Sequence, residues 1–393
     1  MIHLYHHGVI RTRISAGSLN LCFGPFNFFD KRRWLKPVEN AQTRLENRTR
    51  DSKLDNVAAN DRTLRIILEL HELMVDSKRG PFVSLQVMSR WKNRVGLNVG
   101  MGKFINKYPH VFQVFVHPVQ RNLCCRLRQG FKDLIDEENE VMKESASESV
   151  SRLKKLLMMS KNMSLHVHAL SLIRRELGLP EDFRDSILGK YEDCFRLVDR
   201  EIVELVEKDE DPGEARIEIW REKEYREKWL SEFETIYAFP ISFPTGFKIE
   251  PGFREQMMNW QRIPYVKPYE RKVIVKERTG GGLKRFEKWV VGLIHEFLSL
   301  TIERKIKVER FAHFRKDLAM EVNVRELLLK HPGIFYISTK GSTQTVFLRE
   351  AYSKGHLIEE NKVYSIRRKM FDLILLGCRS TRMLEPVVDE QPC

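Results

Sequence analysis

The chain has 393 residues, 42% of them hydrophobic and 31% charged, with 68 Lys and Arg against 54 Asp and Glu and a formal net charge of +14. That apolar share can bury a real core and excludes wholesale disorder, and the length suggests two to three units at about 150 residues each. The positive excess favours a polyanionic partner, nucleic acid or an acidic membrane, over a small neutral substrate.

Residues 1–38 hold Arg11, Arg13, Lys31, Arg32, Arg33 and Lys36 against a single acid, Asp30, with scattered hydroxyls and apolar residues. This is the composition of an organellar transit peptide, and it lacks the long apolar stretch of a secretory signal. Residues 39–60, rich in Asn, Arg and Asp, read as a linker, and the body is expected to run from 61 to 377.

The body carries one pattern three times, the first sign to look for in any long chain. Phe104-Ile105-Asn106-Lys107-Tyr108-Pro109-His110-Val111-Phe112 has a near copy in Leu327-Leu328-Leu329-Lys330-His331-Pro332-Gly333-Ile334-Phe335. Ile187-Leu188-Gly189-Lys190-Tyr191-Glu192-Asp193-Cys194-Phe195 is a weaker third. Upstream, Arg174-Arg175-Glu176-Leu177-Gly178 matches Arg315-Lys316-Asp317-Leu318-Ala319, and Asn93-Arg94-Val95-Gly96 holds the same place in the first copy.

Each unit reads as a first helix (84–95, 166–177, 308–318) and a second (101–107, 183–190, 324–330). Pro109 and Pro332 disfavour helical geometry in the residue before them and stop the second helix. Alternating apolar strands follow as hairpins: 112–116 with 123–127, 195–198 with 202–206, and 334–338 with 345–349. A last helix is expected over 349–354, resuming at 362–376 after Gly355. The expected fold is mainly α with short β hairpins, an α+β class. It holds three winged-helix-like units, about 82–135, 163–207 and 306–376, with an irregular Pro- and aromatic-rich insertion over 214–270. Winged helices can offer a helix to a groove and a basic ribbon to phosphates. Stacking the repeats into a core is the plainer use of the same residues, and Phe112, Phe195 and Phe335 serve it in either case. From 267 to 316 there are 14 Lys and Arg against 6 acids. Trp289–Ile302 reads as a buried helix, and residues 378–393 as a disordered tail.

Chemistry-bearing motifs are missing. Six scattered cysteines give neither a Cys-x-x-Cys pair nor a disulfide framework, so a reducing compartment with no structural metal and no cofactor is expected. Gly280-Gly281-Gly282 lacks the Gly-Lys-Ser/Thr of a phosphate loop, and His295-Glu296 lacks the second His of a zinc protease. Acid pairs such as Glu137-Glu138 have no partnering constellation in the sequence. No enzyme and no membrane span are expected.

Taken together, Lys107-Tyr108-Pro109-His110-Val111-Phe112, Phe239-Pro240-Ile241-Ser242-Phe243-Pro244-Thr245-Gly246-Phe247, Trp260-Gln261-Arg262-Ile263-Pro264-Tyr265 and Lys330-His331-Pro332-Gly333-Ile334-Phe335 resemble the plant organelle RNA recognition (PORR) family, over roughly residues 50–377. The resemblance implies import into mitochondria or chloroplasts and non-catalytic promotion of splicing through binding to group II intron RNA, with other organellar splicing factors as partners. An Arg-bearing, Ser-poor leader leans to mitochondria. The reading from another class is a helical-repeat adaptor in an organellar ribonucleoprotein, reaching RNA only through partners.

Reading looped RNA takes cations for phosphates and flat side chains for unstacked bases. The candidates are the junction pairs Lys107-Tyr108, Lys190-Tyr191 and Lys330-His331. Arg94, Arg174, Arg175, Arg315 and Lys316 on the preceding helices join them, as do Arg126, Arg128, Lys340 and Arg349 on the ribbons. An aromatic ring at a repeated junction is more often a packing pin.

Overall fold

The computed structural model describes residues 45–77, 82–206, 213–228, 237–249, 252–270 and 280–383. The leader expected over 1–38 lies outside the described residues, as do 384–393 of the expected tail. Residues 52–60, expected in a linker, are instead the opening turns of a helix over Ser52–Asp76. Asp51 caps it, its carboxylate accepting from the Lys53 and Leu54 amides at 3.1 and 3.2 Å. That satisfies the orphan donors that every helix start carries. The helix at the other end, Lys362–Met383, runs past the expected boundary at 378.

Between these two helices lie three antiparallel three-stranded sheets of one topology. β1 (Val83–Ser84), β2 (Phe112–Val116) and β3 (Leu123–Leu127) are ordered β1-β3-β2; β4 (Ser164–His166), β5 (Phe195–Val198) and β6 (Ile202–Leu205) are ordered β4-β6-β5; β7 (Lys305–Lys307), β8 (Phe335–Ser338) and β9 (Thr345–Leu348) are ordered β7-β9-β8. In each unit the short first strand, which the sequence does not reveal, pairs with the last strand of the hairpin. These strands are two or three residues long, too short for alternation to show. They also shorten the expected first helices. Leu85–Arg90 stands where 84–95 was expected, Val167–Leu172 and Arg174–Leu177 are split at Ile173, and Phe311–Phe314 follows a 3-10 turn over Val308–Arg310. The second helices are Met101–Lys107, a π turn over Arg184–Leu188, and Val324–Lys330. The helix expected over 349–354 is a 3-10 turn, Arg349–Ala351, leading into a small hairpin of β10 (Tyr352–Ser353) and β11 (His356–Leu357).

The turn between the helices is the same in all three units. The amides of Leu97, Leu179 and Met320 reach back to the carbonyls of Lys92, Arg174 and Arg315 at 3.0, 2.8 and 2.9 Å. This closure puts the residue before each amide in the left-handed region: Gly96 at φ +67°, Gly178 at +71° and Ala319 at +50°. Only glycine takes that region without steric cost. Ala319→Gly is therefore expected to raise stability by about 0.5–1 kcal/mol, the relieved strain less the extra freedom of the unfolded chain. Gly178→Ala should lower it, because a Cβ there also lands 2.4 Å from Ile302 Cδ1. Urea midpoints of the two variants should move in opposite directions.

Two cores result. One is built from the first unit, the Leu64–Met74 stretch of the N-terminal helix, Phe131 and Ile135, and Ile366, Met370 and Ile374 of the C-terminal helix. The other joins the second and third units around the Gly280–Leu300 helix, which is buried from Val290 onward, where a buried helix was expected over 289–302, with Val290, Val291, Leu293 and Ile294 fully enclosed. Between the cores runs a chain of buried and half-buried ions. Arg65 bridges Asp61 and Glu176, both at 2.9 Å; Lys305 bridges Asp61 at 3.2 Å and Glu303; Arg367 reaches Glu138 at 2.7 Å and Glu303 at 3.5 Å. Glu138, which has no visible partner in the sequence, is thus a central member.

Candidate nucleic-acid interface

The junction after each second helix is a repeated hydrogen-bonding device. The carbonyls of Tyr108, Tyr191 and His331 each accept from the amides three and four residues on, which include Phe112, Phe195 and Phe335 at 3.0 Å. Their side chains face inward. Tyr108 is 5% exposed, edge-on to Phe104 at 5.0 Å. His331 lies 4.5 Å from Trp260, and burial, aided by Lys330 and Lys288, pulls its imidazole down to about 3, so the ring is neutral. Tyr191 packs half-buried on the larger core. Offered as base-stacking candidates, Tyr108 and His331 are seated in the core, where large rings contribute packing energy, and Tyr191 is partly so.

The candidate cations divide. Arg349 is buried, its guanidinium donating to the Ser242 carbonyl and lying 3.4 Å from Asp51. Arg174 pairs with Glu72 and Glu181 at 3.5 and 3.3 Å, Arg175 with Glu138 at 3.7 Å, and Lys330 with Glu287 at 3.1 Å. The Phe239–Phe247 segment explains the third unit's closure. Its Ser242 amide donates to the Gly333 carbonyl at 2.8 Å, and Ile241 and Phe243 press so close to Gly333 that a Cβ there would sit 2.5 Å from Ile241. By contrast, Arg94, Lys107, Arg126, Arg128, Lys190, Arg315, Lys316 and Lys340 are exposed. Lys107 and Lys190 lie over the rings of the neighbouring tyrosines, 5.6 and 6.0 Å from their centroids.

Charge separates the three units more sharply than geometry. Residues 82–132 contain nine Lys and Arg and no Asp or Glu. Residues 164–206 contain six Lys and Arg against nine acids, and 305–348 contain eight against four. The 82–132 stretch of the first unit is thus free of acids, with Asp133 the first to follow it, and the second unit is net acidic. Arg90, Arg94, Lys103, Lys107, Arg121, Arg126 and Arg128 are all exposed on it. Acid-free runs of this length are visible in a sequence, but only when charge is counted unit by unit. A surface without carboxylates cannot neutralise its own cations, so counterions or a polyanion must.

Among the described residues no group of His, Cys, Asp and Glu is placed to hold a metal ion, and no helix is long and apolar enough to cross a membrane. The model of the plant organelle RNA recognition domain family matches residues 49–379. Among curated proteins the chain is 38% identical to Protein ROOT PRIMORDIUM DEFECTIVE 1 of Arabidopsis thaliana, over 89% of this chain and 88% of that one. It is 31% identical to Protein WHAT'S THIS FACTOR 1 homolog, chloroplastic, of Oryza sativa subsp. japonica, over 88% of this chain and 68% of that one. With Protein WHAT'S THIS FACTOR 9, mitochondrial, of Arabidopsis thaliana the identity is 27%, over 83% and 84%. No solved structure matches.

Proposed function

The chain belongs to the plant organelle RNA recognition domain family, and from that membership we propose that it binds organellar RNA directly, through its first unit, and promotes group II intron splicing without bond chemistry of its own. The observation that carries this reading is the acid-free cationic surface of residues 82–132. In the proposal each unit is a winged-helix-like module, but the three divide the labour. The first grips phosphates with Arg94, Lys107, Arg126 and Arg128. The third adds Arg315, Lys316 and Lys340 at its margin, and the second, net acidic, supports the other two. Splicing of a group II intron is RNA chemistry, so a protein helps by holding the folded RNA. Cations spread over a rigid module do this by replacing the counterions that folding would otherwise have to confine. The relatives named chloroplastic and mitochondrial support an organelle as the site of action, and the Arg-bearing leader favours mitochondria.

The test is binding of the purified full chain to a plant mitochondrial group II intron, with unrelated RNA as competitor. Retention by RNA alone, resisting competition, is expected. Retention only after organellar extract is added would favour the adaptor reading.

A further inference from the structure

The three sheets are alike in topology but not in what covers their outer faces. The third sheet's outer face carries Tyr336 and Phe347, and the N-terminal helix closes it. Leu54 and Ala58 pack there, and Asp55 accepts from the Tyr336 and Ser338 hydroxyls at 2.9 and 2.6 Å. The second sheet's outer face is neutralised by an Arg196–Glu204 pair at 2.7 Å. The first sheet's outer face carries no acid, and among the described residues no helix closes it as one closes the third, although Cys124 at its centre is buried. Phe115 of β2, on the same side as Gln113, lies opposite Cys124 and Ser84 in the register. Phe82, just before β1, meets the Phe115 ring edge-on at 5.5 Å and the His117 ring at 5.2 Å. Arg126 lies over Phe115, 5.5 Å from its centroid, and its Nε donates to Gln113 Oε1 at 2.9 Å. Phe82, Phe115 and His117 are half-exposed, and the two phenylalanines stand outside the hydrophobic cores that absorb the rest of the unit.

We infer that this face is a platform for unpaired RNA bases, with Phe115 and Phe82 as stacking surfaces and Arg126 and Arg128 holding the flanking phosphates. The inference rests on the RNA-binding reading above and narrows it to single-stranded or looped segments. Charge complementarity decides the occupant. An aromatic patch with Arg126 lying over it and no carboxylate in 82–132 suits a polyanion that also presents flat apolar faces, and unpaired RNA has both. Paired RNA hides its base faces in the helical stack and could use only the cations.

The test compares the full chain with Phe115→Leu, Phe82→Leu and Phe115→Trp on a single-stranded RNA and on a blunt duplex of equal length. Each Leu variant should weaken single-strand binding by about 5- to 150-fold, the range for one stacked base. Duplex affinity should stay within about twofold, and Phe115→Trp should restore single-strand binding. Unchanged single-strand affinity in both Leu variants would overturn the platform and leave the cationic reading standing. Equal losses on both RNAs would also overturn it, since they would mark a damaged fold or phosphate grip. If the unsubstituted chain binds neither RNA, the function proposed above falls with it.

Discussion

Replacing Arg367 by methionine is expected to lower the unfolding free energy by about 3–5 kcal/mol, the usual consequence of stranding buried charges without their partner. Nε and Nη2 of Arg367 both reach Oε1 of Glu138, at 2.8 and 2.7 Å, and Nη1 lies 3.5 Å from Glu303. Removing the guanidinium leaves two carboxylates nearly inaccessible to water, with only their remaining cations. Adding Glu138→Met should recover part of the loss, because a matched apolar pair has no desolvation to offset. A double-mutant cycle by urea unfolding reads both effects.

The same network makes the fold acid-labile. Burial by itself would raise the carboxyls of Asp61 and Glu303. Arg65 and Lys305 beside the first, and Lys305 and Arg367 beside the second, nevertheless hold both below the ordinary carboxylate range. A carboxyl lowered in the folded state contributes stability that is complete above its unfolded value and is lost as pH falls through the folded one. Stability should therefore decline from about pH 4.5 downward. The decline should be shallower in a variant with Asp61 replaced by asparagine.

The second large effect is on RNA affinity. Changing Arg94, Lys107, Arg126 and Arg128 together to glutamine is expected to weaken intron binding on the order of 1000-fold near 0.1 M salt. The salt slope should fall by about three to four units, one for each phosphate left to its counterions. The matched set in the second unit, Arg184, Lys190, Arg196 and Arg200, should change affinity by less than about threefold, since 164–206 carries nine acids against six cations. Titrations across a salt series separate the removal of a phosphate-neutralising cation from a general weakening.

Sequence alone revealed the local parts of this architecture. Proline after the second helix, period-two alternation in the hairpins and the Arg-Arg-Glu-Leu-Gly recurrence are short-range signals, and the hairpin strands end within a residue of expectation. What it hid was set at long range. The N-terminal helix was obscured by polar residues at its start, and its long-range ties fall on distant residues, among them Glu176 and Lys305. Glu138 has no visible partner in the sequence because Arg367 is 229 positions away. The junction aromatics fit an RNA-binding pattern, although a ring at such a place is more often a packing pin. The burial of Tyr108 and the seating of His331 against Trp260 favour packing at those two positions.

The most direct measurement is photocrosslinking of the full chain to a group II intron RNA, with the crosslinked peptides identified by mass spectrometry. Crosslinks should concentrate within residues 82–132, at Phe115 and the cations around it, with a minority near Arg315, Lys316 and Lys340. Crosslinks centred on 164–206, with the first unit unmarked, would contradict the assignment of RNA binding to the acid-free module.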